Sequence, residues 1–530
     1  MDTERLIIQP TDQEIAQPKP PNIRHDLAKI AKESTISLSG AFAGILINYL
    51  LLIVLTRLLS PKEYGTFVLG QSIINTLLVF VMLGTPRLID RYVPFFNSRG
   101  EEGSAKTLIY GVFRIVLIIA LFMGLLVYLM SDHVGKSVFS NLQLSHVLAI
   151  MSTSIPLLAF IQLVSFTFVG FKELRYQGYV EYITYPLLML SFATIALLGG
   201  YGLITWTWMY VFSLFGASCL SCWFLKKHVL SFFKRFSRKA ISVKEMISFS
   251  WPLSLHTILL IILGQTDSLF LGYFRPPEDV GIYRIYFLLA SILAIVHDSI
   301  GKIYKPVVSG HAARMEVDSI RDIYQRVSKW SITVNMFLIG LFLTLGNTLV
   351  ETLFSKNYSL AIGCFYILLC GQFFNSAFGH QGRSLEAFGR VRLMLINSAT
   401  FVMVTLSLDL ILIPRYGIYG AAIANASGLM VTNLLSYTEI YFLYRISLLQ
   451  AKYIRVFLVL LLLAGLTIGT RFVIGPNAGN VFNILSALGF TVLYLIVFSM
   501  VVCDENDRWL LKRIYSRIKN LPGAGDIKIS

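Results

Sequence analysis

Arg284, Ser291, Asp298 and Lys305 recur every seven residues within one long, mostly apolar stretch of the sequence. Seven helical steps of ~100° return a side chain to within ~20° of its start, so the four share one helix face. A polar stripe within a membrane span faces protein or water, because hydrocarbon cannot satisfy it. In the preceding apolar stretch His256 and Asp267 stand eleven residues apart and face the same way; both are protonatable, and Asp267 can also ligate a cation. Gln71 and Asn75 are neighbours at i, i+4, and Asn48 ends a small and polar face of Ser37, Ala41 and Gly44. Gln372 and Asn375 open a further polar run that continues through Ser376, Gly379, His380 and Arg383 at helical spacing. Neutral amides of this kind suit the many donors and acceptors of a glycan, and they equally suit hydrogen bonds between helices.

Arg114 is placed differently. If its helix enters the membrane near residues 105–107, it lies about two turns deep, ~11–13 Å at the helical rise, where a guanidinium costs at least ~2.5 kcal/mol. Either an anionic ligand or a fixed carboxylate such as Asp90 offsets that cost. Asp267 also reads two ways, as a cation-binding switch or as a packing carboxylate bonded to a neighbouring helix. Arg284 and Lys305, near helix ends, either face the polar interior or snorkel to the interface. Gly40 and Gly44 in "GAFAG" equally form a close-packing face.

The elements that must position these groups are membrane helices. Of 530 residues, 55% are hydrophobic and 14% charged, and mean hydropathy is +0.69. A soluble chain carries about 25% charged residues. Runs such as "LIYGVFRIVLIIALFMGLLVYLM" match, at ~1.5 Å per residue, the ~30 Å hydrocarbon core of a bilayer. Breakers and charges divide the sequence into fourteen spans, between residues 34 and 502. Pro156 and the polar segment 372–383 interrupt the fourth and tenth of them. With the N-terminus inside, 36 Lys and Arg fall in inner segments against 7 in outer loops. Basic residues resist translocation, so both termini are expected inside. The formal charge of +16 then lies against anionic lipid and calls for no nucleic acid.

The fold class expected is an all-α polytopic membrane protein of fourteen transmembrane helices, with two parallel six-helix lobes, two extra C-terminal helices and both ends inside. Residues 1–33 read as a disordered cytoplasmic tail without signal-peptide pattern, 34–225 as the N-lobe and 226–248 as a basic linker. The C-lobe follows over 249–443, the added pair over 453–502, and an amphipathic basic tail over 503–530. The two basic segments suit helices lying on the membrane surface. The five cysteines have neither disulfide-framework nor zinc spacing, no P-loop occurs, and no cofactor or metal is expected.

Two phrases repeat. "LLSPKEYGTF" at 58–67 and "FRPPEDVGIY" at 274–283 align Pro61 and Gly65 with Pro277 and Gly281, an offset of 216. "GGYGLI" at 199–204 and "PRYGIY" at 414–419 align Tyr201-Gly202 with Tyr416-Gly417, an offset of 215. An even number of spans per block keeps both halves in one orientation, so the duplication is parallel and substrate is expected between the halves.

Twelve spans in two halves plus two more, with "LTRLLSPKEYGTF" after span 1 and "GQTDSLFLGYFRPPEDVGIY" across spans 7 and 8, resemble the polysaccharide-transporter and O-antigen flippase branch of the multidrug/oligosaccharidyl-lipid/polysaccharide flippase superfamily. The resemblance covers roughly residues 34–502. It implies a multi-pass protein of the cytoplasmic membrane that moves an isoprenyl-diphosphate-linked oligosaccharide between leaflets, with helices 1, 2, 7 and 8 around the cavity. On that view Asn48, Gln71, Asn75, Arg114, Arg284, Ser291, Asp298, Gln372 and Asn375 are cavity candidates, and Asp267 and His256 are candidates for H⁺ or Na⁺ coupling. Membrane lipids surround it, and a glycan polymerase or glycosyltransferases are partners. The competing readings are a drug or organic-cation antiporter of the same superfamily, a membrane-embedded glycan polymerase or ligase, and a scaffold for glycosyltransferases.

Overall fold

The computed structural model describes residues 23–82, 84–171, 173–228, 243–448, six positions between 458 and 469, and 480–503. The described residues hold no strand; nine helices, or eleven if two bent pairs are single spans, are long and apolar enough to cross a bilayer. The first half comprises α1 (Ile23–Leu58), α2 (Pro61–Met82), α3 (Thr85–Ser98), α4 (Glu102–Asp132), α5 (Leu142–Met151), α6 (Ser154–Gly170), α7 (Leu174–Gln177), α8 (Tyr185–Leu198) and α9 (Leu203–His228). The second comprises α10 (Val243–Phe274), α11 (Pro277–Ala313), α12 (Val317–Leu353), α13 (Ile362–Ala377), α14 (Gln381–Ala387), α15 (Val391–Tyr416) and α16 (Ile418–Tyr444), and α17 (Asn480–Val497) follows. The linker 229–242, the terminal tails and most of the expected thirteenth span lie outside the described residues.

Local chemistry explains the starts and breaks. At α2, Ser60 Oγ accepts from the Glu63 amide at 3.3 Å while Glu63 Oε2 accepts from the Ser60 amide at 3.0 Å, a reciprocal capping box that satisfies two donors of the first turn. Pro61 and Pro277 occupy the first helical positions of α2 and α11, where no amide hydrogen is needed. The two interruptions legible in the sequence are breaks: α5 and α6 meet at 45°, just before Pro156, and α13 and α14 meet at 40°. Gly379, at φ +76°, supplies the left-handed residue that the second break requires.

The twin connectors meet each other. A Cβ at Gly65 would stand 1.7 Å from the Pro277 carbonyl oxygen, and one at Gly281 would stand 2.5 Å from that of Pro61. The starts of α2 and α11 thus touch backbone to backbone, each through its own glycine. The second repeated phrase packs on the first in both halves: Gly202 lies against the Glu63 carboxylate, and Gly417 against that of Asp279. Glu63 and Asp279 are 216 residues apart, the same offset as the glycines. Around this contact Tyr358 donates to the Leu59 carbonyl at 3.2 Å, and Arg57 Nε donates to that of Leu353 at 3.3 Å.

One large apolar core runs through both halves. A smaller cluster at the opposite end, around Tyr304, Val308, Ile320, Tyr324 and Leu385, joins α11, α12 and α14. α11 and α12 are each 37 residues, about 55 Å, and so extend beyond a bilayer at that end. α17 packs on α12, where Gly340 admits the Phe490 ring; a Cβ there would meet it at 1.9 Å.

Candidate functional site

Behind the connector contact, α1, α2, α8 and α11 enclose a cavity of about 360 Å³. Its polar wall is formed by Asn48 and Tyr49 of α1, Gln71 of α2, Tyr185 of α8, and Arg284 and Ser291 of α11. Tyr49 ties α1 to α11 by donating to the Leu288 carbonyl at 2.7 Å. Arg284 reaches the cavity with its guanidinium 5.6 Å from the Phe287 ring centroid, and it makes no ion pair among the described residues. A guanidinium held in a helical wall without a carboxylate leaves its hydrogen-bonding fork for an anionic visitor.

A second polar centre lies on the other side of α11. Asp267, 5% exposed on α10, accepts hydrogen bonds from the Tyr283 hydroxyl and, at 3.3 Å, from Asn425 of α16. It faces Asp409 of α15, which is 0% exposed. Neither oxygen of Asp409 nor Oδ1 of Asp267 has a protein donor among the described residues. Thr405, one turn before Asp409, also leaves its hydroxyl unpaired. Two buried carboxyl groups that face each other cannot both be charged unless a cation joins them. Free carboxyl oxygens beside a free hydroxyl are the hard donors that a proton or an alkali cation takes. Tyr283 and Arg284 are consecutive, so one segment of α11 touches the carboxyl pair with one residue and lines the cavity with the next. Arg284 is near enough to act on Asp267 electrostatically.

Of the residues expected at the cavity, Asn48, Gln71, Arg284 and Ser291 line it. The others lie elsewhere. Asn75 is half-buried on α2 beyond the cavity wall. Asp298 is paired with Arg383 of α14 at 2.8 Å, and Lys305 with Glu386 at 2.6 Å, so the lower half of the seven-residue stripe clamps α14. Gln372 and Asn375 bond to each other at 3.3 Å, and Asn433 of α16 donates to Asn375 at 3.4 Å; their amides serve helix packing. The His256 side chain lies outside the described residues.

Arg114 is exposed on α4. Exposed apolar side chains run on from it through Ile115, Ile118, Leu121, Leu125 and Leu129 to Val138. Arg114 does not line the cavity between the halves.

Asp409 and the tyrosines were missed. The signal for Asp409 was present, a lone acid within "TLSLDLILIP", but its partner is 142 residues away in sequence.

Broken helices, a cavity between two repeated halves and a buried acidic pair define a multi-pass membrane transporter fold. The chain matches the family described as "Polysaccharide biosynthesis protein" over residues 30–309, more than half its length, and belongs to that family. It is 26% identical over 245 residues to the "Probable low-salt glycan biosynthesis flippase Agl15" of Haloferax volcanii, covering 43% of this chain and half of that one. Among solved structures it resembles the lipid II flippase MurJ in an inward closed conformation, with a TM-score of 0.68 at 13% identity, over 89% of this chain and 98% of that chain. It also resembles an inward-facing multidrug resistance MATE family transporter of the MOP superfamily, with a TM-score of 0.63 at 12% identity, over 76% and 96% of the two chains.

Proposed function

We propose that this protein carries an isoprenyl-diphosphate-linked oligosaccharide from the inner to the outer leaflet of the cytoplasmic membrane by alternating access, as a step in polysaccharide assembly. The observation that carries this reading is Arg284, a cation without an ion-pair partner among the described residues, in the wall of a cavity between the two halves. The guanidinium takes the diphosphate, Asn48, Gln71 and Ser291 take the first sugar hydroxyls, and the isoprenyl chain stays in lipid. A cavity of about 360 Å³ is within the usual range for one small polar group. An unpaired cation suits an anionic cargo and repels the organic cations of a drug antiporter, and the reading assigns no residue a bond-making step, as a polymerase or ligase requires.

Fourteen spans with both ends inside put the twin connectors at the outer face, where the Gly65–Gly281 contact closes the outward path. Opening that contact and closing the other end delivers the headgroup outward. The Asp267–Asp409 pair takes the driving cation, H⁺ or Na⁺. A membrane potential supplies about 2.3 kcal/mol per charge per 100 mV. Delivered lipid-linked glycan then passes to a polymerase or glycosyltransferase partner.

Competition binding to the purified protein in nanodiscs tests the headgroup assignment. An isoprenyl diphosphate should displace a fluorescent isoprenyl-diphosphate glycan far better than an isoprenyl alcohol. Arg284→Gln should weaken binding about 10- to 100-fold, the worth of a lost charge-assisted bond. Equal displacement by diphosphate and alcohol would remove the anion site from the mechanism.

A further inference from the structure

Away from both centres, two histidines stack in the second half of the chain. His380 lies in the break between α13 and α14, and its ring stacks on that of His297 of α11 with centroids 4.1 Å apart and planes 19° apart. Tyr304, two turns further along α11, covers the other side at 5.4 Å. His380 is 2% exposed and His297 8%. His297 Nδ1 is 2.8 Å from Ser331 Oγ of α12, whereas neither ring nitrogen of His380 has a partner among the described residues. A neutral imidazole always presents one donor and one acceptor, and each buried polar group left unmade costs about 1–3 kcal/mol.

The stack also helps to dock α14, together with the hydrogen bond between Gln381 and Asn433 of α16. This helix has seven residues, too few to be stable alone. Its ion pairs to α11, Asp298–Arg383 and Lys305–Glu386, are partly solvated, with Asp298 62% exposed, and such pairs contribute about 0–1 kcal/mol. What remains toward α11 among the described residues is the His–His–Tyr stack, the 2.6 Å contact between Tyr304 and Ser384, and buried Leu385.

We propose that His297 and His380 form a proton-binding site, separate from the Asp267–Asp409 pair, whose protonation releases α14 from α11. Among the described residues, the ionisable and polar groups that act on the rings are Asp298 and Tyr304 of α11, Arg383 of α14 and Ser331 of α12, with Tyr324 of α12 behind Tyr304 and Glu386 of α14 held by Lys305. An imidazolium in the stack would have two donors and no acceptor on His380, with the Arg383 guanidinium beside it. Two charges ~4 Å apart repel by about 4 kcal/mol at an effective dielectric constant of 20, so the pair takes one proton. The charged ring is accommodated by leaving the stack toward water, where Asp298 becomes its counter-ion and Arg383 is freed. Gly379, already in the left-handed region, is the hinge. Release loosens α14 against α11, α15 and α16 at the end opposite the connectors, whatever cargo the cavity holds.

Spin labels at Lys302→Cys, exposed on α11, and Gly382→Cys, where an added Cβ meets nothing within 4 Å, report this step. The full chain is used in nanodiscs, with Cys219, Cys222, Cys370 and Cys503 replaced by Ser. Between pH 8 and pH 5 the short interlabel distance should give way to a longer one, the ratio changing about tenfold per pH unit while one proton is taken up. His380→Phe, which keeps the stack, and His380→Gln should both hold the short distance at every pH. Asp267→Asn should keep the response. His311→Gln should keep it too, which separates the stack from the His311–Glu316 contact at 2.5 Å. That hydrogen bond, ahead of nearby Arg314, holds the Glu316 carboxyl below its ordinary range. A distance that does not change with pH in the unmodified pair, or a response that survives in both His380 variants, overturns the proposal. Because the readout is a distance between labels, it stands or falls independently of the transport reading.

Discussion

Arg284 and Asp409 are the two residues on which the site depends, and they were unequally visible. Arg284 and Ser291 were legible from their seven-residue spacing, because both lie on the one helix whose face the spacing defines. The same spacing placed Asp298 on the stripe, but its Arg383 partner comes from another helix, and single-helix periodicity holds no record of that. Asp409 was a lone acid until the fold brought it to Asp267. Removing one carboxyl of this pair should abolish the cation's effect without harming the fold. In Asp409→Asn, the thermal stabilisation that the coupling cation gives the purified protein should disappear, while the unfolding temperature without that cation stays level or rises, since a neutral amide replaces a buried carboxyl group that has no donor among the described residues. A fall in the cation-free unfolding temperature with retained cation response would make Asp409 structural. Tyr283→Phe removes a hydrogen bond to a charged group and should cost about 1.5–3 kcal/mol, measurable as a lower unfolding temperature.

At the scale of elements, the apolar runs and the Pro and Gly punctuation gave helix positions and both broken spans, since these depend on local sequence. The ends opposite the connectors were less legible. α11 continues to Ala313 and α12 begins at Val317, because exposed amphipathic turns of both helices carry the charges that in sequence mark a loop. In "GAFAG" only Gly44 is a packing residue: a Cβ there would stand 2.6 Å from the Tyr182 carbonyl oxygen, whereas Gly40 has nothing within 4 Å. The repeated connectors were visible as a repeat, but their mutual contact is tertiary. Gly65→Ala should force the starts of α2 and α11 apart. Spin labels at Lys62→Cys and Glu278→Cys should report a longer distance in that variant and an unchanged one in Gly40→Ala. An unaltered distance in Gly65→Ala would mean that the connector contact does not set closure.

At the scale of the whole molecule, two repeated halves share one apolar core and touch backbone to backbone at a glycine pair, hold between them an arginine with no ion pair among the described residues, and keep an acidic pair behind it. Under the proposed function, cargo and cation would meet the same segment of α11, through Arg284 and Tyr283, and each ligand is then expected to change the affinity for the other. The orientation of the assembly rests on the charge asymmetry of its loops, and the described residues end before the C-terminal basic tail. The most direct measurement reconstitutes the purified protein in liposomes with a fluorescent isoprenyl-diphosphate oligosaccharide and follows its loss from one leaflet with a membrane-impermeant quencher. The protein should move the lipid between leaflets, and Arg284→Gln, correctly folded, should slow that movement at least ~10-fold, as a lost charge-assisted bond requires. Lipid that stays in its leaflet with the unmodified protein, or moves equally fast in Arg284→Gln, contradicts the account.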